Sequence, residues 1–269
     1  ATRAPVLVAP AMNEAMYLHP IVQENLERLR GSGVSIIEPI EGELACGVYA
    51  VGHLASLEAI LLRTEQLMVP QSFKGKKFLI TSGRTVESLD PVRCLTNFSS
   101  GKMGLALVRE ALLRGATVML VSGRADVDYV LHENLEIDYV KTAEEMRIAV
   151  LDEFENCDYY ISAAAICDFA PRKVSEVKLK KSGSRVLELV ENPDILSEVA
   201  RMKASHQVVI GFGLESGDLT DMGERKRKEK GVDILVANSP QMINAKEGEF
   251  VFLSDREQRA IKGTKQELA

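Results

Sequence analysis

The sequence has few of the residues that bind transition metals or form disulfide frameworks. Among 269 residues there are only four cysteines and four histidines. The cysteines are Cys46, Cys94, Cys157 and Cys167, and the histidines are His19, His53, His132 and His206. Neither set shows a CxxC or a metal-ligand spacing, so we expect no zinc-type site, reduced thiols and a cytoplasmic protein.

The sequence also lacks an excess of basic charge and a long apolar run. Its net charge of −6 gives no basic footprint for general nucleic-acid binding. No apolar segment approaches the roughly 20 residues needed to span a bilayer. The composition, with 46% hydrophobic and 27% charged residues, is typical of a soluble globular protein. We therefore expect neither a nucleic-acid partner nor a membrane partner.

Strand-like and helix-like segments alternate along the chain. The predicted strands lie at 4–11, 34–40, 76–83, 117–123, 135–141, 158–166, 207–213, 232–239 and, as a possible edge strand, 249–255. The predicted helices lie at 19–33, 55–68, 101–116, 143–155, 192–203 and 219–231. This alternation predicts an α/β fold with a doubly wound parallel sheet. Pro70 and Gly75 mark a linker at 69–77, so we predict two domains, 1–70 and 71–269.

Four loops that follow predicted strands of the second domain end in glycine or polar residues. They are TSGRT (81–85), VSGR (121–124), AAAICD (163–168) and GFGLES (211–216). In an open parallel sheet, ligands bind beyond the carboxyl ends of the strands. One such loop is an ordinary turn, but four of them predict the rim of a binding site.

The segment NFSSGKMG (97–104) resembles a phosphate loop but departs from the usual pattern. The Walker loop requires GxxxxGK followed by serine or threonine, whereas this chain has Thr96 and Met103 at two required positions. Gly101 would still let the backbone approach an anion at the start of a helix, beside Lys102. A plain helix cap formed by the serines is the alternative from the local sequence. The carboxamide of Asn97 could donate to a carbonyl or an oxyanion.

Three further charged segments have both a structural and a functional interpretation. LDPVR (89–93) is a turn with an exposed Arg93, and KVSEVKLKKSGSR (173–185) is a solvated loop or a flap that brings lysines over a polyphosphate. ERKRKEK (224–230) is a solvated helix face on which Lys226 and Lys230 share one side. Spacing alone does not choose between these interpretations.

Taken in order, these segments resemble phosphopantothenoylcysteine synthetase. ITSGRTVESLDPVRCLTNFSSGKMG, AAAICDFAP, KLKK, ENPDIL, GFGLES and ILVANSP carry the resemblance across residues 74–255. PAMNEAMYLHP and GELACG, within residues 4–68, resemble the C-terminal part of phosphopantothenoylcysteine decarboxylase. That region contains two predicted strands and two helices, so we interpret it as part of a flavoprotein-type α/β unit.

The resemblance implies an enzyme of coenzyme A biosynthesis. In this family 4'-phosphopantothenate and CTP form an acyl-cytidylate and release pyrophosphate, and cysteine then forms the amide and releases CMP. Mg²⁺ accompanies the triphosphate, and the enzymes are homodimers. The residues alone do not decide between CTP and ATP; the resemblance to fused bacterial enzymes favours CTP.

The resemblance also implies roles for individual residues. Asn97 would be the catalytic asparagine and Lys178 would hold the triphosphate and the leaving pyrophosphate, while Arg93 and Asn97 would contact the substrate. Asp168 would face the ribose or the metal ion. The implied nucleotide-binding residues are Ser99, Gly101, Lys102, Ala164, Asp168, Phe169, Lys178, Asn192, Pro193, Asp194, Ile195, Phe212, Lys226 and Lys230.

Departures from the family pattern limit what is carried over. Arg84 occupies a position that is usually proline, which leaves the turn geometry open and allows an added phosphate contact. Asn13 and Cys46 match the substrate-binding asparagine and the reactive cysteine of the decarboxylase. The family's catalytic histidine and most of its FMN site have no match in this sequence, so we expect neither decarboxylase activity nor tight FMN binding.

Two other function classes remain open at this stage. An NAD(P)-dependent oxidoreductase would need a G-x-G-x-x-G turn after the first strand, and SGRTVE does not have that spacing. A nucleotide-binding module without catalysis is the non-enzymatic alternative. The presence of Asn97 and Lys178 argues against it.

Overall fold

The computed structural model describes residues 3–45, 47–129, 132–181, 183–184, 186–215, 217–239, 241 and 247–269. The chain divides into two compact units. One contains the residues up to Ser72 together with His132 and Glu133, and the other contains the remaining residues from Phe73 onward. Across the described ranges, no helix is long and apolar enough to cross a membrane.

The first unit is built from short elements. Its strands are β1 (Leu7–Val8), β2 (Ser35–Ile36), β3 (Ile40–Glu43) and β4 (Tyr49–His53), and its helices are α1 (Glu14–Tyr17), α2 (Pro20–Gly31) and α3 (Leu57–Met68). β1 and β2 pair in parallel and β3 and β4 pair antiparallel. The parallel sheet is therefore much shorter than the predicted strands at 4–11 and 34–40, and the β3–β4 hairpin was not predicted.

The second unit contains an eight-stranded sheet. Its strands run in the order β16 (Gln258–Thr264), β15 (Glu247–Ser254), β14 (Ile234–Asn238), β13 (Val208–Leu214), β10 (Tyr159–Ser162), β5 (Lys77–Ser82), β8 (Thr117–Ser122) and β9 (Leu135–Tyr139). The six strands from β14 to β9 are parallel, while β15 and β16 are antiparallel additions. The predicted α/β class is confirmed. The prediction of β15 as an edge strand is wrong, because β16 covers it.

Helices cover both faces of this sheet. They are α4 (Lys102–Leu113), α5 (Ala143–Phe154), α6 (Ile195–Met202), α7 (Leu219–Lys230) and α8 (Lys265–Leu268). Adjacent strand residues point to opposite faces. Val209 accordingly joins an apolar cluster with residues of α5 and α6, while Ile210 joins a cluster that includes Met103 of α4 and Leu268 of α8.

Local sequence signals explain where several helices begin. Thr142 and Glu145 form a reciprocal capping box at α5, in which each side chain accepts from the other residue's backbone N–H. Asp194 caps α6 by accepting from the Ser197 N–H at 3.1 Å. That helix therefore begins at Ile195, three residues later than the predicted start at 192.

Two short hairpins project beyond the carboxyl ends of the parallel strands. β6 (Val86–Ser88) pairs with β7 (Cys94–Thr96), and β11 (Phe169–Pro171) pairs with β12 (Leu189–Glu191). The first hairpin lies between β5 and α4, and the second follows β10. They bring LDPVR and the described part of the segment 173–185, in which Ser182 and Arg185 lie outside the described residues, to the same end of the sheet as the predicted binding site.

Candidate functional site

A cleft of about 630 Å³ opens at the carboxyl ends of β5, β10, β13 and β14. The segments 96–104 and 163–166 form two of its walls, and residues near the ends of β13 and β14 complete it. Its lining includes the predicted site residues Asn97, Ser99, Gly101, Lys102, Ala164, Asp168, Phe212 and Lys226. Eight predicted positions from four sequence segments therefore share one cavity.

The 97–104 loop leaves the start of α4 without a side-chain cap. Gly101 is the N-cap residue, with a positive φ of 78°, and no side chain caps the first turn of the helix. Ser99 Oγ accepts from the Gly101 N–H at 3.4 Å, and that group belongs to the N-cap residue and not to the first turn. The plain serine cap is therefore wrong. The first N–H groups of a twelve-residue helix are available to an anion.

Gly104 allows α4 to lie against the end of β5. A Cβ atom at this position would be 2.0 Å from Ser82 Oγ and 2.3 Å from Ser82 Cβ. Only hydrogen fits there, because real Cβ atoms do not approach heavy atoms so closely. The second glycine of NFSSGKMG thus sets the distance between the loop's helix and the sheet.

Arg84 fixes the 97–104 loop through hydrogen bonds to Ser99 and Asp126. Its guanidinium donates to both carboxylate oxygens of Asp126, at 2.9 and 3.1 Å, and also to the Ser99 carbonyl. The Asp126 N–H donates to the Ser100 carbonyl at 3.1 Å. The hydrogen bond from Arg84 lowers the pKa of the Asp126 carboxyl. Arg84 is therefore occupied by the protein's own groups, and it does not line the cleft as an added phosphate contact.

The loops TSGRT and VSGR support the rim rather than line it. Arg84 forms backbone bridges with Arg124 and with Ala165. A Cβ at Gly83 would lie 2.8 Å from the Gly123 carbonyl oxygen, so these turns pack tightly against each other. Of the four predicted rim segments, the described parts of 163–168 and 211–216 contribute lining residues.

Asn97 connects two walls of the cleft. Its Nδ2 donates to the Ile166 carbonyl at 2.9 Å, while the residue remains exposed. This contact orients the carboxamide between the loop before α4 and the loop after β10. Asn97 is therefore positioned where a ligand in the cleft would meet it.

Three lysines and one carboxylate supply the charge of the cleft lining, namely Lys102, Lys226, Lys265 and Asp168. Lys226 is already paired, since its Nζ lies 3.0 Å from Glu215 Oε1. Phe212 is half-buried in the apolar cluster that also holds Met103, so it forms part of the floor. The lining favours an anionic ligand with an apolar portion.

A smaller pocket of about 280 Å³ adjoins the cleft and shares Ile166 and Asp168 with it. Its lining includes the predicted residues Asp168, Phe169, Asn192, Pro193, Asp194, Ile195 and Lys230. Two of them contact other protein groups: Asn192 Nδ2 donates to the Cys167 carbonyl at 2.8 Å, and Lys230 forms an ion pair with Asp194. These contacts position the loop that carries Asp168.

Arg93 and Lys178 lie outside the linings of both pockets. Arg93 pairs with Asp90 at 2.7 Å and donates to the Leu179 carbonyl. Burial opposes ionisation of Asp90, but the Leu179, Val92 and Arg93 N–H groups and the Arg93 guanidinium outweigh it and lower the Asp90 pKa to about 2. The described part of the 173–185 loop is thereby joined to the β6–β7 turn at Leu179, and Lys178, the residue before it, is exposed.

Several cleft residues were given no role by the sequence analysis, among them Asn238, Phe250 and Lys265. Asn238 stands inside the segment ILVANSP but was given no role, and Lys265 lies beyond the last motif. The pattern Thr264-x-x-Glu267 does signal a helix start, and the structure contains that capping box. No local sequence pattern indicates that Lys265 lies in the same cleft as the 97–104 loop.

The decarboxylase-like positions of the first unit were also predicted as site residues. Asn13 caps α1, with Oδ1 accepting from the Ala15 N–H at 2.9 Å. Cys46 lies outside the described residues. Within the part of the chain that the structure describes, no three histidine, cysteine, aspartate or glutamate side chains cluster as a metal site.

The family model "DNA/pantothenate metabolism flavoprotein C-terminal domain" matches residues 73–269, which contain the whole cleft. The chain belongs to this family. A second family model, "Flavoprotein", matches residues 1–68. The DNA/pantothenate metabolism flavoprotein C-terminal domain therefore carries the loop 97–104, both pockets and the 173–185 loop.

Several relatives along most of the chain share one name, while another, from an unknown prokaryotic organism and 39% identical over 88% of this chain, is named "Cysteine/Cysteine sulfinic acid decarboxylase". The "Coenzyme A biosynthesis bifunctional protein CoaBC" of Bacillus subtilis (strain 168) is 40% identical over 88% of this chain and 59% of its own length. The protein of that name from Vibrio vulnificus (strain YJ016) is 39% identical, with 88% and 60% covered. The chain thus spans about 60% of the length of such relatives.

A solved structure matches the domain that carries the cleft. The crystal structure of the C-terminal domain of Coenzyme A biosynthesis bifunctional protein CoaBC aligns with a TM-score of 0.62 and 33% identity. The alignment covers 74% of this chain and 92% of that domain. Membership of the DNA/pantothenate metabolism flavoprotein C-terminal domain family is thus supported by sequence and by fold.

Proposed function

We propose that the second unit ligates cysteine to 4'-phosphopantothenate in coenzyme A biosynthesis, with CTP as the activating nucleotide. The 4'-phosphopantothenate carboxylate attacks the α-phosphorus of CTP and displaces pyrophosphate. The cysteine amine then attacks the acyl carbon of the acyl-cytidylate and displaces CMP. The observation that supports this most directly is that Asn97, an uncapped helix start and cationic lysines meet in one cleft, in a chain several of whose relatives are named for this pathway.

The proposed roles follow from what each group can donate. Asn97 offers an amide beside the reacting centre, where one preorganised donor is worth about 100-fold to 1,000-fold in rate. The 99–102 backbone and Lys102 would bind phosphate oxygens. Ala164 and the half-buried Phe212 would contact the base and sugar, and Lys226 would complete the nucleotide site after exchanging its Glu215 partner for phosphate.

The smaller pocket would extend the nucleotide site. Phe169 and the segment 192–195 would contact the nucleotide, with Ile195 buried at the start of α6. The Lys230 ammonium would contact the ligand while it remains paired with Asp194. Because Asp168 lines both pockets, its carboxylate is the group that a ligand spanning them would meet.

Mg²⁺ fits this site as a companion of the nucleotide. The ion is commonly held by one or two carboxylates together with substrate phosphates and several waters. Asp168 supplies one such carboxylate, and among the described residues no group of three or more possible metal ligands forms a dedicated site. When bound, the ion would neutralise charge on the phosphates, and Asp168 would hold it near the cleft.

The 173–185 loop would act as a flap in this proposal. Lys178 is exposed outside both pockets, so contact with the triphosphate requires the loop to move over the cleft. The Asp90–Arg93 pair would then set the hinge by holding Leu179. Arg93 would contact the substrate in its own subunit while it remains paired with Asp90. In a dimer, it would instead contact the substrate in the site of the neighbouring subunit.

We also propose that the second unit forms a homodimer close to the cleft. Large apolar side chains are exposed on the β6–β7 turn, on the 173–185 loop and at Phe98, which is 85% exposed. Val92 and Val177 belong to this set, and Ser175 N–H donates to the Leu89 carbonyl, so the two loops share one surface. Clustered exposed apolar residues mark association surfaces. Sedimentation velocity of the purified chain would measure the mass.

The first unit enters the proposal only as a flavoprotein-family segment. We propose no decarboxylase activity and no tight FMN binding for this chain. Asn13 Oδ1 is engaged in capping α1, which leaves less of its side chain for a flavin or a substrate. Flavin absorbance of protein incubated with FMN and then desalted would test this directly.

The first experiment measures pyrophosphate release with 4'-phosphopantothenate, Mg²⁺ and either CTP or ATP. We expect release with CTP, and CMP in full stoichiometric yield only after cysteine is added. Release with ATP alone would reverse the nucleotide assignment. Nucleotide binding by folded protein without any release would favour the nucleotide-binding module instead.

The Asn97→Asp variant tests the catalytic assignment. The carboxylate cannot donate to Ile166 or to a developing oxyanion, so we expect product formation to fall by about 100-fold or more while CTP still binds. Asn25→Asp, at an exposed position of α2, is the matched control and should retain activity. An Asn97→Asp enzyme with unchanged turnover would contradict the role of Asn97.

A further inference from the structure

Two lysines of the cleft differ from their neighbours in having no acidic partner among the residues that the structure describes. Lys226 is paired with Glu215 and Lys230 with Asp194. Within the described ranges, the ammonium groups of Lys102 and Lys265 take part in no ion pair with a carboxylate, although both side chains line the cleft. Unneutralised cations on a concave surface attract an anion more strongly than paired ones.

The helix that carries Lys265 is fixed against the helix that carries Lys102. Leu268 of α8 is buried and packs in the apolar cluster that includes Met103, the residue after Lys102. Glu267 is the acidic group closest in sequence. Its carboxylate accepts from the Thr264 N–H at 2.7 Å and from the Thr264 hydroxyl at 3.0 Å. This acid is therefore engaged in the helix cap, and Lys265 remains directed to the cleft.

Placing two positive charges in one cleft has an electrostatic cost. Burial, and next the charge of Lys102, lower the pKa of the Lys265 ammonium. A multiply charged anion bound between the two lysines would attract both ammonium groups, and this attraction would outweigh the repulsion between them. The uncapped start of α4 lies at the same wall, because Gly101 and Lys102 begin that helix. Donors and charges thus converge from α4 and α8.

We propose that Lys265 is a second phosphate-binding residue, which with Lys102 holds the condensed phosphate of the nucleotide. This inference rests on the proposed function and extends it to a residue outside all the motifs that suggested it. A condensed phosphate carries several charges over adjacent groups, which suits two separated ammonium groups and a row of backbone N–H donors. Lys265 would contact the β- and γ-phosphates, the part that leaves as pyrophosphate.

The test compares Lys265→Met with Lys262→Met, an exposed control on β16. Isothermal titration calorimetry would measure binding of inorganic pyrophosphate, of CTP and of CMP. Loss of one charge-assisted contact weakens binding by about tenfold or more. We expect that loss for pyrophosphate and CTP, and a change of less than about twofold for CMP, which lacks the condensed phosphate. Lys265→Arg should restore most of the affinity because it keeps the charge.

The outcomes separate this inference from the function on which it rests. Wild-type protein that ligates cysteine, with Lys265→Met and Lys265→Gln binding CTP and pyrophosphate as tightly as wild type, would overturn the role of Lys265 alone. An equal loss of affinity for CMP would also overturn it, since that indicates general damage to the cleft. Wild-type protein that neither binds CTP nor releases pyrophosphate would overturn the proposed function and the inference together.

Discussion

Replacing Gly104 by alanine should destabilise the second unit, although helix propensity alone predicts the opposite. Gly104 lies in the first turn of α4, where alanine is intrinsically better by at most about 1 kcal/mol. The added Cβ, however, would be 2.3 Å from Ser82 Cβ and 2.0 Å from Ser82 Oγ. α4 would have to move away from β5, and the 97–104 loop, which leads into α4, would move with it.

The magnitude follows from the balance of these two effects. Forcing an extra methyl group into a well-packed site typically costs about 1–3 kcal/mol. Both contacts to Ser82 are far below the ordinary limit, so we place the cost near the upper end of that range. After the propensity gain is subtracted, the unit should lose about 2 kcal/mol of its free energy of unfolding.

The matched background is Ser82→Gly, which removes the two atoms that an alanine at 104 would meet. The remaining contact, 3.2 Å from Ser82 Cα, needs only a small adjustment. In that background, Gly104→Ala should be neutral or stabilising. Native-state hydrogen exchange of the α4 and β5 amides would report the stability of this unit separately from the first. If Gly104→Ala proved as stable as wild type with Ser82 present, the packing argument would be refuted.

Two further predictions concern the contacts that hold the cleft's loops. Arg84→Ala should raise the KM for CTP several-fold, because the Ser99 carbonyl loses the guanidinium that holds it, whereas exposed Arg225→Ala should not. Steady-state kinetics would decide, and an unchanged KM would count against this role of Arg84. The Asp90 carboxyl has a pKa lowered from 3.8 to about 2, so its stabilisation of the loop is present above about pH 4 and is lost as the pH falls through 2. Asp90→Asn should weaken exchange protection of the Leu179 amide at pH 7 and remove its acid dependence; retained protection would refute this.

Much of the fold could be predicted because its central elements have clear periodic patterns. α4, α5 and α7 carry apolar or charged residues at helical spacing. α4 and α7 end close to a glycine, α5 begins after a capping box, and the parallel strands are short apolar runs. β16 was missed because its segment, QRAIKGT, is mostly exposed, contains two basic residues and has only one large apolar side chain. Such a composition protects an edge strand from pairing with other chains, but it hides the strand from a search for apolar alternation.

The candidate site could be predicted in part, for a related reason. Ser99, Gly101 and Lys102 stand together in one unusual segment, so their joint appearance in the cleft follows from local sequence. Lys265 reaches the same cavity only because Leu268 packs beside Met103, a contact between residues far apart in sequence. Long-range packing of this kind leaves no spacing that a sequence pattern can detect.

The origin of the cleft walls has a consequence for protein synthesis. One wall begins at Thr96, and the lining extends to Lys265, so the cavity draws on most of the second unit. On the ribosome, the set of lining residues is complete only after α8 has emerged from the exit tunnel. A ligand that needs the whole lining would therefore stabilise only chains whose translation has passed Lys265.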